Sequence, residues 1–124
     1  VEAFAKGFLL EFQRLDILVN NAGLNGGGVR ESATKQGFNM IWGTNYIGHF
    51  HLTQLLLERL KAAPAARIVN LASVMHHFTE GDILQSAVGN FKGSPYSDSK
   101  LAMIHLTSEL RRQLADTNIT AIAV

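Results

Sequence analysis

A tyrosine and a lysine four residues apart, Tyr96 and Lys100 in the stretch SPYSDSK, form the first pair of side chains that could do chemistry. On a helix, residues at this spacing lie on one face, with their Cβ atoms roughly 5–6 Å apart. An ammonium group there favours the ionised form of a phenol, because a nearby opposite charge stabilises the charged state. The pair is therefore able to donate and accept a proton near neutral pH. Tyrosine and lysine are also ordinary helix residues, so the spacing alone leaves a purely structural role open.

The elements that must position this pair alternate between helices and short apolar strands. Apolar side chains recurring at three- and four-residue spacing predict three helices, over residues 1–13, 35–63 and 96–115. Short apolar runs predict three strands, over residues 16–19, 67–73 and 119–124, of which the first is expected to be buried on both faces and the second to be buried. Pro64 ends the long helix, because proline cannot continue one. This alternation predicts an α/β fold with a parallel sheet, and three strands alone would be only a part of such a sheet.

Two connections are predicted as loops. Residues 24–34 contain three consecutive glycines, Gly26 to Gly28, which are typical of a flexible loop. Residues 74–93 form a partly apolar connection that is longer than most, and such connections are usually functional or act as a lid.

Composition excludes several classes of protein. The 124 residues fit one domain or part of one, and the 47% apolar and 17% charged content is that of a globular protein. A formal net charge of +1 gives no reason to expect nucleic acid as a partner. The chain has no cysteine, no apolar run long enough to cross a membrane and no signal peptide at its start. Its histidines lack the i, i+4 spacing of a zinc site, so no metal site is predicted.

Polar residues follow the predicted strands, at the edge where ligands bind in parallel sheets. Asn20, Asn21 and Gly23 come directly after the first strand, and Ser73 ends the second. Asn45 lies in the middle of the long helix, where its side chain competes with helical backbone bonding. Each residue has an ordinary structural explanation, such as a turn or a cap. Their convergence with Tyr96 and Lys100 on one crevice would instead indicate an active site.

Together these motifs resemble the short-chain dehydrogenase/reductase family. The stretch NNAG at residues 20–23 is similar to the family's strand-end motif, and TNYIGHF carries the family's helix asparagine at Asn45. IVNLAS carries its serine at Ser73, and YSDSK is its Tyr-x-x-x-Lys pair, Tyr96 and Lys100. The motifs occur in the family's order over nearly the whole chain. The resemblance implies a Rossmann-like domain, a doubly wound parallel sheet, of which this chain is the central part.

The resemblance also implies an activity and a role for each residue. The activity is hydride transfer between a nicotinamide cofactor and a carbonyl or alcohol substrate. Tyr96 would be the acid or base, with Lys100 lowering its pKa and holding the nicotinamide ribose. Ser73 would bond the carbonyl oxygen, and Asn45 would support a water-linked relay with Lys100. Asn21, Ala22 and Gly23 would lie beside the adenosine half of the cofactor.

The stretch SVMHH and the long segment between Ser73 and Tyr96 are most like the retinol-dehydrogenase-like branch. This branch includes WW-domain oxidoreductases and protochlorophyllide reductases, and it often prefers NADP(H) over NAD(H) and bulky, apolar substrates. Two family features are missing from residues 1–124: the N-terminal glycine-rich βαβ unit and the C-terminal substrate-binding segment. The fragment alone is therefore predicted to be inactive. By family analogy, the helices at residues 35–63 and 96–115 would pair copies in a homo-oligomer.

Two hypotheses of different classes follow. The first is an enzyme, a nicotinamide-dependent short-chain oxidoreductase of which this chain is the central fragment. The second is a non-catalytic structural or interaction subunit that retains a dehydrogenase-like core. All four candidate catalytic residues, Asn45, Ser73, Tyr96 and Lys100, are present, and a protein without turnover has no chemical need for them. The sequence therefore favours the enzyme.

Overall fold

Three parallel strands form one sheet in a computed structural model that describes residues 1–26, 32–89 and 93–124. The strands lie in the order β1 (Ile17–Asn20), β2 (Ala66–Asn70) and β3 (Ile119–Ala123). Asn20 lies opposite Asn70, and Asn70 lies opposite Ala123. The carboxyl ends of all three strands therefore lie in one row, and the predicted parallel α/β architecture is confirmed.

The helices fall between these strands as the alternation predicted. They are α1 (Glu2–Glu11), α2 (Met40–Trp42), α3 (Gly48–Lys61), α4 (Ile83–Ala87) and α5 (Pro95–Gln113). A π-helical segment, Gly43–Ile47, joins α2 to α3, and a short 3₁₀ segment, Val74–Phe78, follows β2. The two long helices, α3 and α5, both begin near the carboxyl edge of the sheet, where Thr53 of α3 contacts Asn20 and Lys100 of α5 contacts the Leu71 carbonyl.

Helices cover one face of the sheet. Leu18, Ile68 and Ala121 point to that face, where they pack in one cluster with side chains of α1, α3 and α5. The helix side chains of this core are Ala5, Leu56, Leu60, Met103, Leu106 and Leu110. Burial of each large side chain contributes about 1.5–3 kcal/mol, so this single layer contact is the main source of stability.

Within residues 1–124, β1 is buried on one face only, whereas the sequence predicted burial on both faces. Ile17 and Val19, which point away from the helices, are 57% and 53% exposed, and Ile122 on β3 is 38% exposed. The apolar runs look alike on both faces, but α1, α3 and α5 all pack on the same side. An apolar run shows that a strand can be buried, whereas packing decides which of its faces is covered.

The long helix begins later than predicted, at Met40 rather than near Lys35. Asn39 caps it, since its Oδ1 accepts hydrogen bonds from the backbone N–H groups of Ile41 at 2.9 Å and Trp42 at 3.4 Å. Gly37, two residues earlier, has φ of +86°, a conformation that a helix cannot contain. The Asn39 cap and Gly37 therefore prevent the helix from beginning near Lys35, although the apolar periodicity continues through these residues.

The connection predicted as a long loop at residues 74–93 contains the 3₁₀ segment and α4. The indole Nε1 of Trp42 donates to Ser86 Oγ at 2.6 Å, and both side chains are fully buried. The backbone N–H of Asn39 also donates to the carbonyl of Ala87 at 2.8 Å. These bonds hold α4 against the start of the long helix. Residues 90–92 of this connection, and Gly27 and Gly28 of the glycine-rich stretch, lie outside the described residues.

Candidate functional site

A buried ladder of amides and hydroxyls lies at the carboxyl edge of the sheet. Asn20 Nδ2 donates to Asn70 Oδ1 at 2.8 Å and to Thr53 Oγ1 of α3 at 3.0 Å. Asn70 Nδ2 donates to Thr107 Oγ1 of α5 at 2.9 Å. All four side chains are at most 5% exposed. Because buried hydrogen bonds are directional and costly to leave unmade, this ladder sets how α3 and α5 lie against the strand ends.

Asn45 lies in the π-helical segment and is fully buried. Its Oδ1 accepts from the backbone N–H of Leu24 at 2.7 Å, and its Nδ2 donates to the Leu24 carbonyl at 2.9 Å and to Ser99 Oγ at 3.1 Å. The amide thus joins the turn after β1 to the first turn of α5. The sequence suggested that an asparagine is awkward within a helix, and the structure has a π-bulge at that position, a feature that is common at functional sites.

The start of α5 is held by its own sequence. Ser94 caps the helix by accepting from the backbone N–H of Ser97 at 3.3 Å, and Pro95 takes the first helical position. Ser99 donates to the Tyr96 carbonyl at 2.7 Å while accepting from Asn45. The first two turns of α5, which carry Tyr96 and Lys100, are therefore fixed against the π-helical segment.

Lys100 is buried below the carboxyl edge, at 5% exposure. Its Nζ donates to the carbonyl of Leu71, directly after β2, at 2.8 Å, and lies 5.6 Å from the centre of the Tyr96 ring. Burial lowers the pKa of the Lys100 ammonium below its ordinary value. The site thus holds a desolvated cation beside a phenol, as the four-residue spacing predicted.

Gly23, at the end of the NNAG turn, lies over both Asn45 and Lys100. A Cβ added to Gly23 would lie 3.6 Å from Asn45 Oδ1 and 3.9 Å from Lys100 Nζ. These are ordinary van der Waals distances, so Gly23 lies directly beside Asn45 and Lys100. Asn21 and Ala22 are exposed beside it, whereas Asn20 is buried in the ladder. The turn presents backbone and small side chains toward the space above the strands.

Ser73 follows β2 and caps the 3₁₀ segment. Its Oγ accepts from the backbone N–H of Met75 at 3.2 Å, and its carbonyl is 2.6 Å from Nδ1 of His76. A hydroxyl that accepts one bond still has its hydrogen to donate. The cap orients Ser73 two residues after Leu71, whose carbonyl holds Lys100, so the serine lies on the same edge as the Tyr96–Lys100 pair.

Comparison with known proteins gives the family. The sequence model of the family described as short chain dehydrogenase matches residues 1–124. The chain belongs to the short-chain dehydrogenase family. It is 45% identical over 126 residues to retinol dehydrogenase 12 of Homo sapiens, an alignment that covers all of this chain and 39% of that protein. The predicted resemblance to the retinol-dehydrogenase-like branch is thereby confirmed.

Solved structures of this family share the fold. An uncharacterized protein of Mycobacterium paratuberculosis superposes with a TM-score of 0.79 at 36% identity, over 98% of this chain and 45% of that one. An NADPH-bound carbonyl reductase from chicken fatty liver superposes with a TM-score of 0.68 at 25% identity, over 98% of this chain and 49% of that one. The chain therefore spans less than half of the length of these relatives.

The structure places most of the residues predicted from the dehydrogenase motifs around one point. A Cβ on Gly23 would be in van der Waals contact with both Asn45 and Lys100, Tyr96 lies beside Lys100, and Ser73 lies on the same edge. Asn21 and Ala22 are adjacent on the surface. The predicted pairing of copies through the two long helices stays a prediction.

Sequence reasoning missed several residues of this candidate site. Ser99 and the Leu71 carbonyl hold Asn45 and Lys100, and the ladder below them uses Thr53 and Thr107. His49 was not predicted as a site residue, yet its Nδ1 lies 2.9 Å from the carbonyl of Asn45. Its position four residues after Asn45 was the available signal, because residues at that spacing are neighbours on a helix.

In the described parts of the chain, residues 1–26, 32–89 and 93–124, no group of three or more His, Cys, Asp or Glu side chains is placed to hold a metal ion. Among the helices found there, none is both long and apolar enough to cross a bilayer.

Proposed function

We propose that the complete protein carrying this chain is a nicotinamide-dependent oxidoreductase that interconverts a carbonyl and an alcohol. The observation that carries the proposal is the placement of Lys100, desolvated, bonded to the Leu71 carbonyl and 5.6 Å from the Tyr96 ring. Membership of the short-chain dehydrogenase family supports the same reaction class. Reduction of a carbonyl to an alcohol needs a proton as well as a hydride. A buried cation beside a phenol helps the phenol to transfer that proton.

In this proposal each side chain acts on the substrate oxygen or on its neighbour. Bound NADP(H) supplies or accepts the hydride. Tyr96 gives its phenolic proton to the carbonyl oxygen during reduction and takes it back during oxidation. Lys100 attracts the negative charge that the phenol oxygen then carries, and Ser73 donates its hydroxyl hydrogen to the substrate oxygen. Asn45 supports the relay through Lys100 that returns a proton to the phenol oxygen of Tyr96.

The cofactor would lie against Gly23 and Lys100, at the carboxyl edge of the sheet. Lys100 bonds Leu71 with one ammonium hydrogen and has others for the nicotinamide ribose. Asn21, Ala22 and Gly23 would contact the adenosine half. NADP(H) is proposed over NAD(H), supported by the retinol-dehydrogenase-like sequence and by the structural likeness to the NADPH-bound carbonyl reductase. The 124 residues are proposed as the central part of the cofactor domain, with the glycine-rich βαβ unit and the substrate-binding segment outside them.

The substrate is proposed to be bulky and apolar. The 3₁₀ segment directly after Ser73 exposes three apolar side chains: Val74 at 70%, Phe78 at 66% and Met75 at 38%. Apolar surface next to a polar catalytic group is typical of a site that binds an apolar molecule with one reactive oxygen. The name of the human relative, retinol dehydrogenase 12, is consistent with this class of substrate.

The test uses the complete polypeptide with NADPH and 4-nitrobenzaldehyde as the carbonyl probe. Tyr96→Phe removes only the phenolic oxygen, so we expect the turnover number to fall at least about a hundredfold, as for loss of a general acid. NADPH binding, followed by fluorescence, should persist. Tyr46→Phe is the matched control, since Tyr46 is the chain's other tyrosine and packs edge-on against Trp42 with ring centres 5.5 Å apart. It should leave turnover within about twofold.

Equal turnover by Tyr96→Phe and the unmodified protein would refute the proposed role. NADPH binding by the unmodified protein without turnover of any carbonyl would favour the non-catalytic alternative. The presence of all four candidate catalytic residues argues against that alternative, because a protein without turnover has no chemical need for them.

A further inference from the structure

His49 lies in the first turn of α3, directly after the π-helical segment, and is 7% exposed. Its Nδ1 is 2.9 Å from the main-chain carbonyl oxygen of Asn45. A carbonyl only accepts hydrogen bonds, so Nδ1 must carry a hydrogen. The contact therefore selects one tautomer of the ring and joins the π-helical segment to α3.

The side chain of Asn45 is already committed to other bonds. Its Nδ2 hydrogens go to the Leu24 carbonyl and to Ser99 Oγ, and its Oδ1 accepts from Leu24. Asn45 has no amide hydrogen left to donate to a relay. Any part that Asn45 takes in a relay toward Lys100 would therefore involve its main-chain carbonyl. His49 contacts that carbonyl through Nδ1 and so helps to orient it.

The charge state of His49 matters because a second cation would compete with Lys100. Burial lowers the pKa of His49, the hydrogen bond to Asn45 opposes that effect, and the positive charge of Lys100 on α5 lowers the pKa further. A neutral ring keeps Lys100 as the cation at the centre of the site. Its counterpart on the same helix, His51, is 43% exposed at its side chain and contacts Glu2 at 3.2 Å instead.

We propose that His49 is a positioning residue that fixes the Asn45 carbonyl through an Nδ1–H donor and so holds the π-helical segment in register with Lys100. This inference rests on the proposed function, because the relay matters only to an enzyme that transfers a proton through Tyr96 and Lys100. His49 does not itself touch the reacting atoms.

Kinetics on the complete polypeptide test the role. His49→Leu removes the donor, and we expect turnover of 4-nitrobenzaldehyde with NADPH to fall about tenfold, the equivalent of one hydrogen bond. His49→Asn places an amide N–H where Nδ1 was, and should recover turnover to within about threefold of the unmodified protein. KM for NADPH should change less than about twofold in both variants. His51→Leu is the control on the same helix and should leave turnover unchanged.

The tautomer of His49 is tested without activity, in the unmodified protein, by ¹⁵N NMR of the histidine rings at neutral pH. A ring that carries a hydrogen on Nδ1 supports the proposal, and a neutral ring with its hydrogen on Nε2 alone overturns it. Turnover by His49→Leu within twofold of the unmodified protein overturns it as well, as does equal loss by the Leu and Asn variants. Absence of turnover in the unmodified protein would refute the proposed function. The NMR spectrum would then test only whether His49 Nδ1 donates to the Asn45 carbonyl.

Discussion

Thr107→Val is the sharpest test of the buried ladder. Thr107 is 5% exposed, accepts from Asn70 Nδ2 at 2.9 Å and donates to the Met103 carbonyl at 2.8 Å. Valine keeps the shape of threonine, so no cavity forms, but the Asn70 amide loses its partner. Loss of a net hydrogen bond costs about 1 kcal/mol, and leaving a buried N–H unpartnered costs about 1 kcal/mol more. We expect the free energy of unfolding to fall by about 2 kcal/mol.

Urea titration of the complete polypeptide measures this change, provided that the m-value stays constant. Thr107→Ser keeps the hydroxyl and loses one methyl group, so it should cost about 0.8 kcal/mol. Ser108→Ala removes a hydroxyl from the next, exposed position of α5 and should change the free energy by at most about 0.5 kcal/mol. If the valine variant is no less stable than the serine variant, the hydroxyl does not support Asn70 and the reasoning fails.

Two further predictions concern the π-helical segment and the histidine beside it. A Cβ on Gly48 would lie 3.1 Å from the Gly43 carbonyl oxygen, so Gly48→Ala should lower the free energy of unfolding by about 1 kcal/mol. Gly7→Ala in α1, where a Cβ meets no atom within 4 Å among the described residues, should raise the free energy of unfolding by about 0.5 kcal/mol. Equal effects of the two substitutions in the same urea titration would show that a Cβ on Gly48 is not crowded by the Gly43 carbonyl. The folded-state pKa of His49 is lowered, so below its ordinary value of 6.5 the unfolded chain binds the extra proton and stability falls as the pH falls. His49→Asn should therefore lose less stability than the unmodified protein between about pH 7 and pH 5, and identical pH profiles would show that His49 titrates normally.

Most of the fold followed from local patterns. The period of the apolar side chains gave the order of helices and strands, and the ends of α5 and β1 lie within a residue or two of their predicted positions. The start of the long helix was missed because Asn39 and Gly37 stop it, and caps depend on side-chain geometry rather than on periodicity. Helix α4 was missed because its five residues are too few to show a period, and the buried bond between Trp42 and Ser86 holds it in place.

The sequence by itself determined the α/β alternation, the order of the motifs and hence the short-chain dehydrogenase family. These properties reside in residue types and short spacings, which act within a few residues along the chain. Only the tertiary structure decided which face of the sheet is covered and which atoms hold the candidate catalytic groups. The partners of Asn20 are 33 and 50 residues away, that of Lys100 is 29 residues away, and Asn45 reaches across 54 residues to Ser99. Such contacts form when separate elements pack together, and no local pattern in the chain encodes them.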